Sequence, residues 1–144
     1  MKFVIVYSSR FGNGKKCVDF VDEALRTKGH EVQVINAPKA DPSQLPPADM
    51  YIFSGASEAF NIAKGIRKYL KKLPPMEGKK YALISTHGMK RAIALKKMEK
   101  LLSKKKKMVK VSSIDFRIGE GSFEGNGLPE GYEDSLREWV EGIV

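Results

Sequence analysis

Ser8, Ser9, Gly12 and Gly14 crowd into the stretch YSSRFGNGKK (7–16), where the apolar run KFVIVYS gives way to helical periodicity. Hydroxyls, glycines that let the backbone come close, and the positive end of a helix together suit an anion held on amide hydrogens. A phosphate would be at home there; a plain tight strand–helix turn is the alternative reading of the same composition. The spacing is not G-x-x-x-x-G-K-S/T, because Gly12, Gly14 and Lys15 lie too close together. Nor is it G-x-G-x-x-G, because Cys17 stands where the third glycine belongs. Nucleoside triphosphate and dinucleotide fingerprints are both set aside.

Two more loops follow strand-like runs, residues 54–60 in SGASEAF and residues 86–90 in THGMK. His87 leaves its strand where it can meet a ligand, donating to it or exchanging a proton; simple surface exposure is the alternative. His30 follows Gly29 in a turn and reads as structural. The two histidines are far apart in the chain, and a lone cysteine has no disulfide partner, so no metal motif or disulfide framework is expected. Cys17 reads as a small buried helix residue, with a low-pKa thiol at a helix start as the sharper alternative. No spacing supports a serine-histidine-acid set or paired carboxylates, and hydrolytic machinery is not expected.

A strand–helix alternation must position these loops. Residues 2–8 suit a strand covered on both faces. CVDFVDEALRTKG then aligns Val18, Val21 and Leu25 at helical spacing and stops at Gly29. EVQVINA, MYIFSG, KYALIST and MVKVSSIDFRI read as further strands. NIAKGIRKYLKKL, with Ile62, Ile66, Tyr69, Leu70 and Leu73 on one side, reads as a helix, as do RAIALKKMEKLLSK and a last segment bearing Leu136, Trp139, Val140 and Ile143. The prolines of PKADPSQLPPAD forbid a continuous helix. Such alternation predicts a parallel sheet with helices on both faces, and ligands beyond the carboxyl ends of its strands.

A chain of 144 residues, 42% hydrophobic, is the size of one domain, residues 1–144. No apolar run approaches the roughly 20 residues that cross a bilayer. The opening reads as a first strand rather than a signal segment, so a cytoplasmic protein without membrane contact is expected. The net charge of +9 is local: residues 90–110 hold ten cations and one acid, and the remainder is balanced at sixteen of each sign.

VIVYSSRFGNGKK resembles the phosphate loop of the flavodoxin family, and SGASEAFNIAKGIRKYL resembles its next strand, flavin loop and helix. The similarity continues through ALISTHG, ALKKMEKLL and the terminal helix, covering essentially the whole chain. It implies a three-layer α/β fold with a five-stranded parallel sheet of order 2-1-3-4-5, and one non-covalent flavin mononucleotide (FMN). By that resemblance Ser8, Ser9, Arg10, Phe11, Gly12, Asn13 and Gly14 surround the phosphate, largely through backbone N–H groups. Ser57, Glu58, Ala59, Phe60 and Asn61 border the flavin ring, and Thr86, His87, Gly88 and Met89 close its other side. The cofactor would carry the electron chemistry and the protein would set its potential.

The departures from the family pattern are specific. Gly14 stands where threonine is usual, removing a hydroxyl for which Arg10, Lys15 or Lys16 would compensate by a charge-assisted contact. Glu58 replaces a neutral or aromatic residue, Phe60 is the candidate stacking face with a loop anchor as its alternative, and the third loop lacks a covering tyrosine.

The resemblance therefore implies a small FMN-binding redox protein that passes electrons between protein partners. Its lysine-rich stretch predicts an acidic redox partner and favours the reduced, anionic flavin. Nucleic acid is the weaker expectation, because aromatic residues do not interleave with the lysines as stacking platforms would. Two other readings remain open: a module of the same fold that has lost flavin and binds an acidic protein or nucleic acid through residues 90–110, and an FMN-dependent reductase of a quinone or small molecule.

Overall fold

The structure is a computed structural model that describes residues 1–88, 91–119 and 124–144. Its elements run β1 (Lys2–Tyr7), α1 (Asn13–Thr27), β2 (Glu31–Asn36), β3 (Met50–Glu58), β4 (Asn61–Ile62), α2 (Lys64–Lys72), β5 (Lys80–His87), α3 (Ile93–Lys100), β6 (Val109–Arg117) and α4 (Tyr132–Ile143). Five strands are parallel in the order β2-β1-β3-β5-β6. This is the expected 2-1-3-4-5 order with one short strand interposed in the numbering.

That short strand, β4, is antiparallel to the end of β3, with Ser57 opposite Ile62 and Glu58 opposite Asn61. Ile62 therefore belongs to a hairpin and not to the helix on which its spacing placed it. It is buried in the same core as Ile66 and Leu70 of α2, which is why the helical period ran through it unbroken. The Ala63 amide donates to the Ala56 carbonyl at 2.8 Å and closes the hairpin base. Between β2 and β3 the proline-bearing connection makes only two 3-10 turns, Ala37–Lys39 and Pro42–Gln44.

Alternate residues of the central strands feed two cores. Phe3, Ile5, Ile52 and Ile84 meet Val18, Val21 and Leu25 of α1 and Leu136, Trp139 and Val140 of α4. On the other face Val4, Val6, Phe53 and Leu83 meet α2 and α3 through Ile66, Leu70, Ala94 and Met98. Cys17 is wholly buried in the first core, and its desolvation pushes the thiol up to about 12, so the buried reading holds and the low-pKa alternative does not. His30 packs its ring edge-on against Phe3, at 5.3 Å between centroids.

Because α2 and α3 share a face, the charge pattern is wider than the sequence suggests. α2 contributes Lys64, Arg67, Lys68, Lys71 and Lys72 and no acid, so the basic surface spans two helices. After α3 the chain makes a π-helical turn, Leu101–Lys105. Lys106 reaches back to donate to the Lys71 carbonyl at 3.0 Å, which makes it a C-terminal cap for α2 rather than a freely solvated charge. Burial, with the neighbouring Lys105 charge, lowers its pKa. On the opposite face α4 carries Glu133, Asp134, Glu138 and Glu141 against Arg137. Among the described residues no helix is long and apolar enough to cross a membrane.

Candidate functional site

The carboxyl ends of β1, β3 and β5 open onto a cleft of about 270 Å³ with mainly apolar walls. Three helices, α1, α2 and α3, begin at this end, and none has a capping side chain of its own: the residues at their N-caps are Gly12, Ala63 and Ala92. Three serines outside the N-cap positions cap them, Ser9 from the loop just before α1 and Ser8 and Ser57 from farther along the chain. Ser9 Oγ accepts the Lys15 amide hydrogen at 3.1 Å, Ser8 Oγ that of Ile66 at 3.1 Å, and Ser57 Oγ that of Ala94 at 2.9 Å. Of the three, α1 opens on the cleft with its first turn, Asn13 and Gly14, α2 meets it at its N-cap Ala63, and α3 is linked to it through Ser57.

In the first loop, Gly12 adopts φ +91°, a left-handed conformation that turns the chain into α1 and suits glycine. A Cβ there would sit 3.5 Å from Gly125 Cα, so the loop after β6 lies against it. Asn13 is buried, and its carboxamide oxygen accepts the Gly127 amide hydrogen at 2.9 Å, tying the same two loops together. Gly14 lines the cleft with helical backbone, and a Cβ there would meet nothing nearer than Ser9 Oγ at 3.5 Å.

Of the cations that sequence offered as substitutes for a missing hydroxyl, Arg10 and Lys15 are paired with acids. Arg10 pairs with Glu58 at 3.4 Å across the mouth and lies over the Phe11 ring. Lys15 pairs with Asp19 at 2.8 Å, and Lys16 packs its stem near Gly125. Glu58 is accordingly paired with Arg10 at the rim.

From the second loop, Gly55, Ala56, Ser57 and Glu58 line the cleft. Gly55 has no room for a side chain, since its Cβ would lie 2.5 Å from Ile66 Cγ2. Ala59 and Phe60 instead form the tip of the β3–β4 hairpin with φ of 46° and 62°, both left-handed, which costs on the order of 1–3 kcal/mol per residue. Phe60 is 64% exposed at the rim, its carbonyl accepting from Lys97 Nζ at 3.1 Å. Asn61 turns its side chain onto the Ile62 amide. These three stand beside the cleft, not in its lining.

From the third loop, Thr86, His87 and Gly88 line the cleft, and Met89 lies outside the described residues. His87 Nδ1 lies 2.6 Å from Asp115 Oδ2, and Ser85 donates its hydroxyl hydrogen to Asp115 Oδ1. Ile118 and Gly119 complete the wall. Ser85, Asp115, Ile118 and Gly119 carried no sequence signal, because their place depends on how β6 registers against β5.

An anionic group near the first turn of α1, with a flat apolar body between the second and third loops, suits these walls. The FMN expectation fits the residues on these grounds: a left-handed glycine before a helix, a cleft-lining Gly14 where a Cβ would make only ordinary contacts, and apolar sides.

Comparison with solved structures agrees with the topology. The chain is similar to the Streptococcus pneumonia TIGR4 flavodoxin, with a TM-score of 0.82 at 18% identity, over 99% of this chain and 97% of that one. It is similar to a cysteine-to-alanine mutant of flavodoxin from Pseudomonas aeruginosa, with a TM-score of 0.75 at 14% identity, over 99% of each chain. Rubredoxin oxygen:oxidoreductase from Desulfovibrio gigas matches with a TM-score of 0.77 at 14% identity, over 99% of this chain but 35% of that one, so this chain spans about a third of it. No family model matches the sequence, and no curated protein matches it. The chain has the flavodoxin fold.

Proposed function

We propose that this chain is a cytoplasmic, single-domain FMN-binding redox protein that passes electrons between protein partners, one of them acidic. The observation that carries the reading is an apolar-walled cleft at the carboxyl ends of the strands into which the first turn of α1 opens, behind a left-handed glycine. Bound there, FMN would supply one- and two-electron chemistry. Gly12, Asn13 and Gly14 would form the phosphate end; Ser57, Glu58, Thr86, His87 and Gly88 would border the ring. Ser8 and Ser9 would act indirectly, by holding α2 and α1 in place. Arg10 and Glu58 would bridge the mouth, and Phe11 and Phe60 would offer apolar surface to a partner at its edge. The basic α2/α3 face supports an acidic partner by charge complementarity.

Titration of micromolar protein with FMN, followed by absorbance and by quenching of flavin fluorescence, tests this. A saturable change is expected; its absence would remove the carrier reading. The second reading, a flavin-free module that binds an acidic protein or nucleic acid, is favoured by the same two-helix basic face and by the Arg10–Glu58 pair across the mouth. It predicts salt-dependent polyanion binding with no response to FMN.

A further inference from the structure

Ser85 and His87 stand two apart on β5, so their side chains leave the same face of the sheet, and both meet Asp115 on β6. The histidine and aspartate side chains are only 11% and 16% exposed, so little water screens them. Nδ1 is shut off from solvent and approaches Oδ2 at 2.6 Å, off the line of an ordinary hydrogen bond. Lone pairs on both atoms would repel at that distance, so Nδ1 is the nitrogen that carries the proton and turns it toward the carboxylate. Nε2 is then the ring nitrogen left for the cleft that His87 lines.

A neutral imidazole protonated at Nδ1 offers a lone pair at Nε2, and a carboxylate behind it stabilises the cation formed when Nε2 takes a proton. The other charged groups around it are spent or exposed. Arg117, register partner of His87 on β6, is exposed. Glu58 at the end of β3 is paired with Arg10 of the first loop. From α3, which packs on both strands, Lys97 bonds the Phe60 carbonyl and Glu99 pairs with Lys110. Arg91, ahead of α3, is exposed. Among the described residues Asp115 is the charged group in contact with the ring.

We propose that His87 is the proton acceptor of the cleft, with Asp115 as its positioning residue and Ser85 holding the carboxylate. This rests on the FMN reading. On two-electron reduction of FMN held there, the cofactor itself would take up one proton, and His87 Nε2 would take a second from water. Two electrons are then matched by two protons, and the complex gains no net charge.

The test loads the protein with FMN and reduces it at an electrode at pH 8, in weak buffer with a pH-indicator dye. About two protons per FMN are expected for the wild type and about one for His87→Gln. Asp115→Asn is expected to fall between them, and Asp115→Glu to return toward the wild type. Fluorescence titration of each variant precedes the measurement. Failure of the wild type to bind FMN would overturn the functional reading, and with it this inference. Binding with the same proton count in wild type and His87→Gln would overturn the inference alone.

Discussion

The Ser8 hydroxyl oxygen accepts the amide hydrogen of Ile66 at 3.1 Å, across 58 residues of chain, so the loop after β1 caps the helix that follows β4. The contact is close enough that a Cβ on Gly65 would come 2.9 Å from Ser8 Cβ. Removing the hydroxyl leaves a buried helix amide without a partner. Ser8→Ala is expected to cost about 1 kcal/mol, read from urea denaturation at constant m-value. Gly65→Ala should also destabilise, by forcing α2 off the loop. A Ser8→Ala midpoint equal to the wild type would show that the cap contributes nothing.

Reading the same serines from sequence assigns them to a ligand, because a hydroxyl beside a glycine at a strand–helix junction is what an anion site needs. Two of their actual partners, Ile66 and Ala94, belong to helices that sequence order does not bring near; only the Ser9 contact, to Lys15, is local. A tight turn in the first loop was legible, since a strand running straight into a helix demands one, but which of Gly12 and Gly14 takes the left-handed conformation was not. β4 was not, because the tip that creates it is Ala59-Phe60, and left-handed turns ordinarily announce themselves with asparagine or glycine. Asp115 was hidden for a different reason: an acid within a strand acquires a role only through register, and register is set by the bulge between Tyr81 and Ala82 as much as by pattern.

Gly14 can be asked directly whether a hydroxyl is missing from the first loop. Its backbone is helical and a Cβ finds no contact tighter than 3.5 Å, so Gly14→Thr should fold as well as the wild type. An added hydroxyl donor at the phosphate end is expected to tighten FMN binding about tenfold, a net gain on the order of one charge-assisted hydrogen bond. Gly12→Val should do the reverse, because a β-branched residue is strained at φ +91°. Fluorescence titration of both variants decides; unchanged affinity in Gly12→Val would put the phosphate elsewhere.

The two-helix basic face makes α2 as accountable for partner docking as the lysine run. Lys68 and Lys71 are exposed and lie outside residues 90–110. Lys68→Glu with Lys71→Glu should slow reduction of the FMN-loaded protein by a reduced, acidic iron–sulfur ferredoxin about tenfold at low salt, with the difference vanishing near 1 M salt. Stopped-flow rates against ionic strength check it. Equal rates for wild type and variant throughout would leave the lysines as a solvated surface.

Cys17 sets the alkaline limit of the fold. Burial raises its thiol from 9.0 to about 12, and burial likewise raises Tyr69 to about 12 from 10.0. In the unfolded chain these groups lose their protons at their ordinary values, while the folded chain keeps them. Between those values the native state binds more protons than the unfolded state, so stability falls as pH rises. The stabilisation from the buried neutral thiol is complete below about pH 9 and is lost progressively up to about pH 12. Urea midpoints should therefore decline from about pH 9 in the wild type, and Cys17→Ala should delay the onset toward pH 10, where Tyr69 takes over. The same burial predicts that a thiol reagent at pH 8 reacts with Cys17 only as the protein unfolds, so labelling rate should track urea concentration through the transition. Rapid labelling of the native protein would mean that the core around α1 opens far more readily than its packing implies.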